Sequence, residues 1–347
     1  MRGALPRGSE SPPAVASSTP ALVKTLSCFC GPDAQAFDEI DLSIAHSLLT
    51  DARKSGRDLA KETGLSEANV SRRLARLVDE QGLRFRAWVP PALMGIHAGA
   101  VVSVETNHDP DVVAQGLTRI PEFHAVVSIS GDAAIVVLAL ARSPRELMTV
   151  CDQVAAAAEG VRRVVLLPLL HLFSPRDCRD PARILRCEGA TLTDPAGDFD
   201  QIDLAILGEL QRDGRASFAR MGEVSGISAT AAAERFRRLL SAHAVDPFVQ
   251  VEPLRSGAPL AAIAQVEVEG PVLHIASRLA HAANPLHMGI VGGTHPIMMR
   301  FNVADEPALH QLRSTMSEIK GVKSVRGAIV RTLHKDTFDW SHLPARA

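Results

Sequence analysis

A long stretch of this chain occurs twice. Phe37-Asp38-Glu39-Ile40-Asp41-Leu42 returns as Phe199-Asp200-Gln201-Ile202-Asp203-Leu204, an offset of 162 residues. The match runs without a gap from residues 37–83 onto 199–245, with 15 identities in 47 positions, where roughly three are expected at average composition. The same offset carries Gly131 onto Gly293, and a one-residue slip then aligns Gly160-Val161 with Gly321-Val322. A unit of about 140 residues is a whole module rather than a solenoid turn. Any fold assigned to one copy must therefore be built twice.

The first part of each copy reads as three short helices. Ile40, Ile44 and Leu48 are four apart, which predicts a helix over 38–50, with Asp38 and Asp41 at its positive end. A second helix over 56–63 stops at Gly64, and Ser66 caps a third over 67–81. Residues 83–89 read as extended. Helix, short glycine turn, helix is the helix-turn-helix pattern, whose later helix lies in the DNA major groove.

On that later helix Val70, Leu74, Leu77 and Val78 share the inner face. Asn69, Arg72, Arg73 and Arg76 face outward, and Ser66, Ser71 and Arg84 flank them. Arginine pairs with guanine, asparagine pairs with adenine, and Arg84 suits phosphate. The second copy offers Ser228, Thr230, Arg235, Arg237 and Arg238, but its helix begins with alanines that supply few hydrogen bonds. The competing reading is a three-helix packing unit with a solvated arginine face. Net charge does not decide between them, because 37 Lys+Arg oppose 39 Asp+Glu, a formal −2. Any DNA contact must come from a local patch.

The second part of each copy alternates strands and helices. In the first copy strands are expected at 98–104, 123–130, 133–140 and 162–170, with helices after 110 and after 143. In the second copy the same order spans 261–331. The order βαββαβ is the ferredoxin-like arrangement. Helices cover one face of such a sheet, and the other face needs a partner. The two sheets are therefore expected to pack face to face. The fold class is α+β: two copies of a winged helix-turn-helix domain followed by a ferredoxin-like domain.

The domain boundaries follow. Residues 1–34 read as a disordered tail, 35–90 and 199–252 as the two heads, and 91–173 and 253–335 as the two sheet modules. Residues 174–198 read as a linker and 336–347 as a C-terminal tail. The five cysteines, Cys28, Cys30, Cys151, Cys178 and Cys187, have neither disulfide-framework nor zinc-finger spacing. No metal or cofactor is expected. No apolar run reaches the ~20 residues of a membrane span, and a cytoplasmic location is expected.

The ordered set of motifs resembles the Lrp/AsnC family of transcriptional regulators. Its carriers are Phe-Asp-x-Ile-Asp-Leu, Gly-[Leu/Ile]-Ser at 64–66 and 226–228, the Arg-rich recognition helices, and Gly131 and Gly293. The resemblance implies a DNA-reading head and a regulatory sheet domain that binds an amino acid or similar small effector. Here one chain would carry both heads as a covalent pseudo-dimer, with an operator that need not be symmetric. Its partners would be double-stranded DNA, the effector and further copies of itself in a homodimer or higher homo-oligomer, with no membrane. Carried onto this sequence, the effector turn comprises Ser130, Gly131 and Asp132 in one copy and Gly292, Gly293, Thr294 and His295 in the other. Turn N–H groups there would hold a carboxylate, and a plain hairpin turn is the alternative.

Two other functions fit the architecture. Siroheme decarboxylases share it, but their resemblance calls for a His/Tyr/Arg-rich segment that residues 123–131 do not contain, and the chain has no tyrosine. A small-molecule sensor without DNA binding is the other. The crowd of His274, His281, His287, His295 and His310 lacks ligand spacing and reads as ordinary surface or core histidine.

Overall fold

The computed structural model describes residues 38–130, 134–157, 159–185, 192, 197–251 and 260–340. The first head contains α1 (Glu39–Thr50), α2 (Gly56–Thr63) and α3 (Glu67–Asp79). Local chemistry fixes each end. Asp38 and Asp41 form a reciprocal capping box at the start of α1. Gly64 ends α2 at φ +70°, a left-handed conformation that glycine adopts without strain. Ser66 caps α3. Ile44, Leu48, Leu59, Val70 and Leu77 close the core between the helices.

The strand after the head, β1 (Leu83–Trp88), does not fold back as a wing on its own head. It pairs antiparallel with β6 (Asp246–Val251), its counterpart after the second head, in register Leu83↔Val251 to Trp88↔Asp246. This corrects the expected winged domain: the arms of the two copies form one shared ribbon. The arms also exchange cores. Ala87 of β1 packs in the second head, and Val249 of β6, its equivalent at the offset of 162, packs in the first.

The first sheet module runs β2 (Ala98–Thr106), α4 (Pro110–Leu117), β3 (Phe123–Ile129), β4 (Ile135–Ala141), α5 (Pro144–Ala157) and β5 (Val161–Leu172). Two short helices follow, α6 (Pro175–Arg179) and α7 (Pro181–Ile184), where a linker was expected. Cys178 and Ile184 are buried against the second module, so this segment docks rather than tethers. The second head repeats the first with α8 (Gln201–Arg212), α9 (Phe218–Ser225) and α10 (Ala229–Ser241). The second module follows with β7 (Leu260–Val268), α11 (Val272–Ala283), β8 (His287–Val291), β9 (Ile297–Val303), α12 (Glu306–Ser317) and β10 (Val322–Asp336).

Within the modules the strands lie in the orders β3-β4-β2-β5 and β8-β9-β7-β10. The sheets meet edge to edge as well: β5 pairs β8, and β10 pairs β3, closing an eight-stranded barrel. The inner faces of the two sheets pack against each other in one shared core, as expected, and the paired edges add a junction that joins them into a single barrel. Joining removes the unpaired strand edges that two open sheets would present. Strand alternation divides the residues. On β4, Ile135, Val137 and Ala139 face the helices, while Val136 and Leu140 join Val101, Leu169, Ile263 and Met298 inside.

The expected C-terminal tail is also corrected in part. Phe338 and Trp340 are buried beside Trp88 and Phe248, sealing the barrel end next to the ribbon. Gln211 Nε2 donates to the Phe338 carbonyl at 2.8 Å, tying α8 to this plug.

Candidate nucleic-acid interface

The recognition helices carry two kinds of arginine. Arg73 Nη1 donates to Asp38 at 2.6 Å and to Asp41 at 2.8 Å, and Arg76 is bonded to Asp41 as well. Asp41 is fully buried. The second head repeats this arrangement. Arg235 bonds Asp200 at 2.7 Å and Asp203 at 3.0 Å, and Arg238 bonds Asp203. Arg235 holds the Asp200 carboxyl down at about 2. For Asp38, burial pulls upward, but the bond and charge of Arg73 together with the Asp41 and Ile40 backbone amides outweigh it, and the carboxyl lies below the usual range. A buried carboxylate needs its charge compensated, and these arginines supply that.

Arg73, Arg76, Arg235 and Arg238 therefore clamp the third helix of each head to its first. Reading them as outward base contacts overlooked this. The signal was present in the sequence, because Asp38 and Asp41 recur as Asp200 and Asp203 together with the arginines. Arg84 is also occupied, donating to the Val78 carbonyl at 2.8 Å.

The exposed positions form a different set. Ser66, Ser71 and Arg72 are exposed on the first head, with Asn69 half-buried and its Oδ1 accepting from Arg72 at 2.9 Å. Ser66 and Ser228 are spent partly as caps, accepting from the Asn69 and Ala231 amides. On the second head Ser228, Thr230, Glu234, Arg237 and Arg238 are exposed. Glu234 stands where the first copy has Arg72, and Arg237 where it has Ala75. The two faces thus present different charge patterns.

The turn assigned to an effector is only partly described, since Gly131 and Asp132 lie outside the described residues. Ser130 N donates to the Ile329 carbonyl at 2.8 Å, and Gly292 N to the Pro168 carbonyl at 2.8 Å. These two amides close the barrel and are not open to a carboxylate, which corrects that part of the expectation. Gly293 adopts φ +119°; Thr294 is exposed and His295 half-buried beside it. His295 Nε2 lies 3.5 Å from Ser324 Oγ.

One cluster imitates a hydrolytic triad. Ser128 Oγ lies 2.8 Å from His334 Nε2, and Asp111 Oδ1 lies 3.1 Å from that same nitrogen. A relay needs the two ring nitrogens to face serine and carboxylate separately. With one nitrogen shared, the cluster is a clamp between β3, β10 and α4. Among the described residues no group of three or more His, Cys, Asp or Glu is arranged to hold a metal. Nor is any helix among them long and apolar enough to cross a membrane.

A family model for the AsnC-type helix-turn-helix domain matches residues 37–78 and again 199–240. The HTH-type transcriptional regulator FL11 of Pyrococcus furiosus is 30% identical over 135 residues, covering 38% of this chain and 89% of the relative. An uncharacterized HTH-type transcriptional regulator from the same organism is 28% identical over 140 residues, covering 40% and 95%. LrpA of Mycobacterium tuberculosis is 27% identical over 145 residues, covering 41% and 96%. Each relative is thus matched nearly whole by about two-fifths of this chain, the length of one copy. Among solved structures, the siroheme decarboxylase NirDL in complex with an iron-uroporphyrin III analogue superposes with a TM-score of 0.57. That likeness covers 86% of this chain and 95% of NirDL at 10% identity, which is a likeness of fold.

Proposed function

The chain belongs to the Lrp/AsnC family of HTH-type transcriptional regulators, and we propose that it reads an asymmetric DNA site as a pseudo-dimer contained in one chain. The observation that carries this reading is the ribbon. Pairing of β1 with β6 holds the two AsnC-type heads in one fixed relation, with the exposed faces of α3 and α10 left for DNA. Arg72, Ser71 and Asn69 are the base-reading candidates on the first head. Thr230 and Arg237 are those on the second, and Ser66, Ser228 and the partly exposed clamp arginines lie beside the phosphates. Each sheet module is read as ferredoxin-like. The effector, an amino acid or similar small molecule, is assigned to the turn Gly293-Thr294-His295, a reading that rests on the family resemblance. Assembly of two chains into a four-headed particle belongs to the same reading.

The decarboxylase alternative shares the fold alone. The barrel cavity has a volume of about 100 Å³, smaller than the ~150 Å³ that accommodates benzene, so a tetrapyrrole would need a site elsewhere on this chain.

Selection of genomic fragments by the purified protein, titrated against salt, tests the proposal. Enriched fragments sharing a non-palindromic motif, with a steep salt slope, are expected. Binding without enrichment over random DNA would remove the sequence-specific reading.

A further inference from the structure

We propose that the ribbon end of the barrel interior is a binding site for a small neutral molecule with an apolar body and one hydrogen-bond-accepting oxygen. The cavity there, about 100 Å³, is walled by Trp88, Val101, Leu138, Ile263, Met298 and Trp340. An apolar cavity of about 150 Å³ takes up the six heavy atoms of benzene, so this one has room for about four.

One wall is polar. Arg300 Nη2 donates to Asp336 at 2.5 Å and to His287 Nε2 at 2.7 Å, and Gln250 Nε2 donates to Asp336 at 3.1 Å. The His287 ring stacks on Phe338, with centroids 4.9 Å apart. Burial, then the neighbouring Arg300, pushes His287 down to about 3, so the ring is neutral at neutral pH. Arg300 and Asp336 cancel, and the wall carries no net charge. A charged ligand would enter without a partner, which is costly in an apolar cavity. A zwitterionic amino acid is therefore excluded here, which separates this cavity from the effector turn.

A donor waits in the same cavity. Trp340 is 2% exposed, and its Nε1–H has no acceptor among the described residues. Buried N–H groups are rarely left unpaired, and a carbonyl oxygen in the cavity would satisfy this one. The polar wall is not a requirement of the barrel. At the offset of 162, Ala125 and Leu138 occupy the places of His287 and Arg300, and the cross-strand pairs Ala125↔Leu138 and His287↔Arg300 correspond. The barrel closes with an apolar pair on one side, so the charged pair on the other is a specific addition.

The chain contains two tryptophans and no tyrosine, and both tryptophans line this cavity. Intrinsic emission therefore reports the site directly. The experiment titrates the full-length protein with acetone, and separately with valine, following emission and calorimetric heat. A saturable change with acetone and none with valine at the same concentrations is expected. Trp340→Phe should weaken acetone about fivefold by calorimetry, the loss of one hydrogen bond. Val136→Phe, which fills the cavity, should abolish binding with the fold intact by circular dichroism. If Val136→Phe does not fold, the wild-type comparison and Trp340→Phe decide. No saturable response to acetone, equal binding of valine, or unchanged affinity in Trp340→Phe would overturn the proposal. None of these arms depends on DNA binding.

Discussion

Arg53 and Arg215 occupy equivalent positions in the two copies, and each reaches into the other's head. Arg53 donates to the Gly214 and Ala216 carbonyls at 2.8 Å each, and its guanidinium lies 4.8 Å from the Phe236 ring centroid. Arg215 donates to the Lys54 carbonyl at 2.5 Å and sits 4.6 Å from the Phe85 ring centroid. Burial, followed by repulsion from Arg215, lowers the Arg53 pKa; burial does the same for Arg215. Both stay charged, as arginines do.

Arg53→Ala should destabilise the protein by about 2 kcal/mol, since it deletes two charge-assisted bonds to the carbonyls of the buried Gly214 and Ala216. Arg53→Lys should recover less than half, because one ammonium does not span both carbonyls as a planar fork does. The urea midpoint at constant m-value reads this. A midpoint unchanged in both variants would show that the exchange contributes nothing.

Arg73 and Arg72 are neighbours with opposite expected phenotypes. Arg73→Ala leaves the buried Asp41 with Arg76 alone and should cost about 2 kcal/mol of stability, below the range for a fully buried pair because Arg73 is partly exposed. Arg72→Ala should leave stability within ~0.5 kcal/mol while weakening specific DNA binding by about 1–3 kcal/mol and relaxing the preference at the base it contacts. Thermal melts and binding to base-substituted sites on both variants would expose a reversed pattern.

Glu234→Arg restores to the second head the charge that Arg72 gives the first. DNA affinity at low salt should rise and the slope should steepen by about one. An unchanged slope would place α10 away from the phosphates.

His287 gives stability a pH dependence of defined sign. Its pKa in the folded protein, about 3, lies below the unfolded value. The unfolded chain therefore takes up a proton that the native chain refuses. Stability is complete above pH 6.5 and is lost as pH falls toward 3, with a slope of at most about 1.4 kcal/mol per pH unit. Of the charged groups facing the ring, Arg300 and Asp336, the Asp336 carboxyl is pulled up by burial but held below its ordinary range by the neighbouring Arg300 and His287 and the bonds it accepts, so it stays ionised across the upper part of this window. In His287→Gln the decline between pH 6 and 5 should flatten, as measured by urea unfolding at each pH. The lowered carboxyls of Asp38, Asp111 and Asp200 act at lower pH, below their ordinary range.

Local order was legible in the sequence because it is written in caps and periods. Gly64, Ser66, Ile44 and Leu48 place the heads, and the βαββαβ order of each module follows from apolar runs and turn residues. What escaped was pairing between segments far apart in the chain. The sequence around β6 contains Pro247 and gives no sign that its partner is β1, 158 residues away at Trp88↔Asp246 and 168 at Leu83↔Val251. The clamp arginines were misjudged for a related reason: helical spacing shows which way a side chain leaves its own helix but not which carboxylate comes to meet it. Phe338 and Trp340, placed in a tail, were the hydrophobic exceptions that should have marked a packed segment. His287 looked like one histidine among five until Arg300 and Asp336 were brought beside it.

The shared strands also limit how this molecule can be controlled. Because β5 and β10 each complete the other copy's sheet and the two copies are one chain, the halves meet at a fixed effective concentration. Dilution does not part them. A regulator built from separate subunits can switch off by falling apart as its level drops, but this one keeps its paired heads at any abundance. A signal acting within one chain must do so by reshaping the pair, and the two-stranded ribbon between heads and barrel is the element through which such a strain would pass.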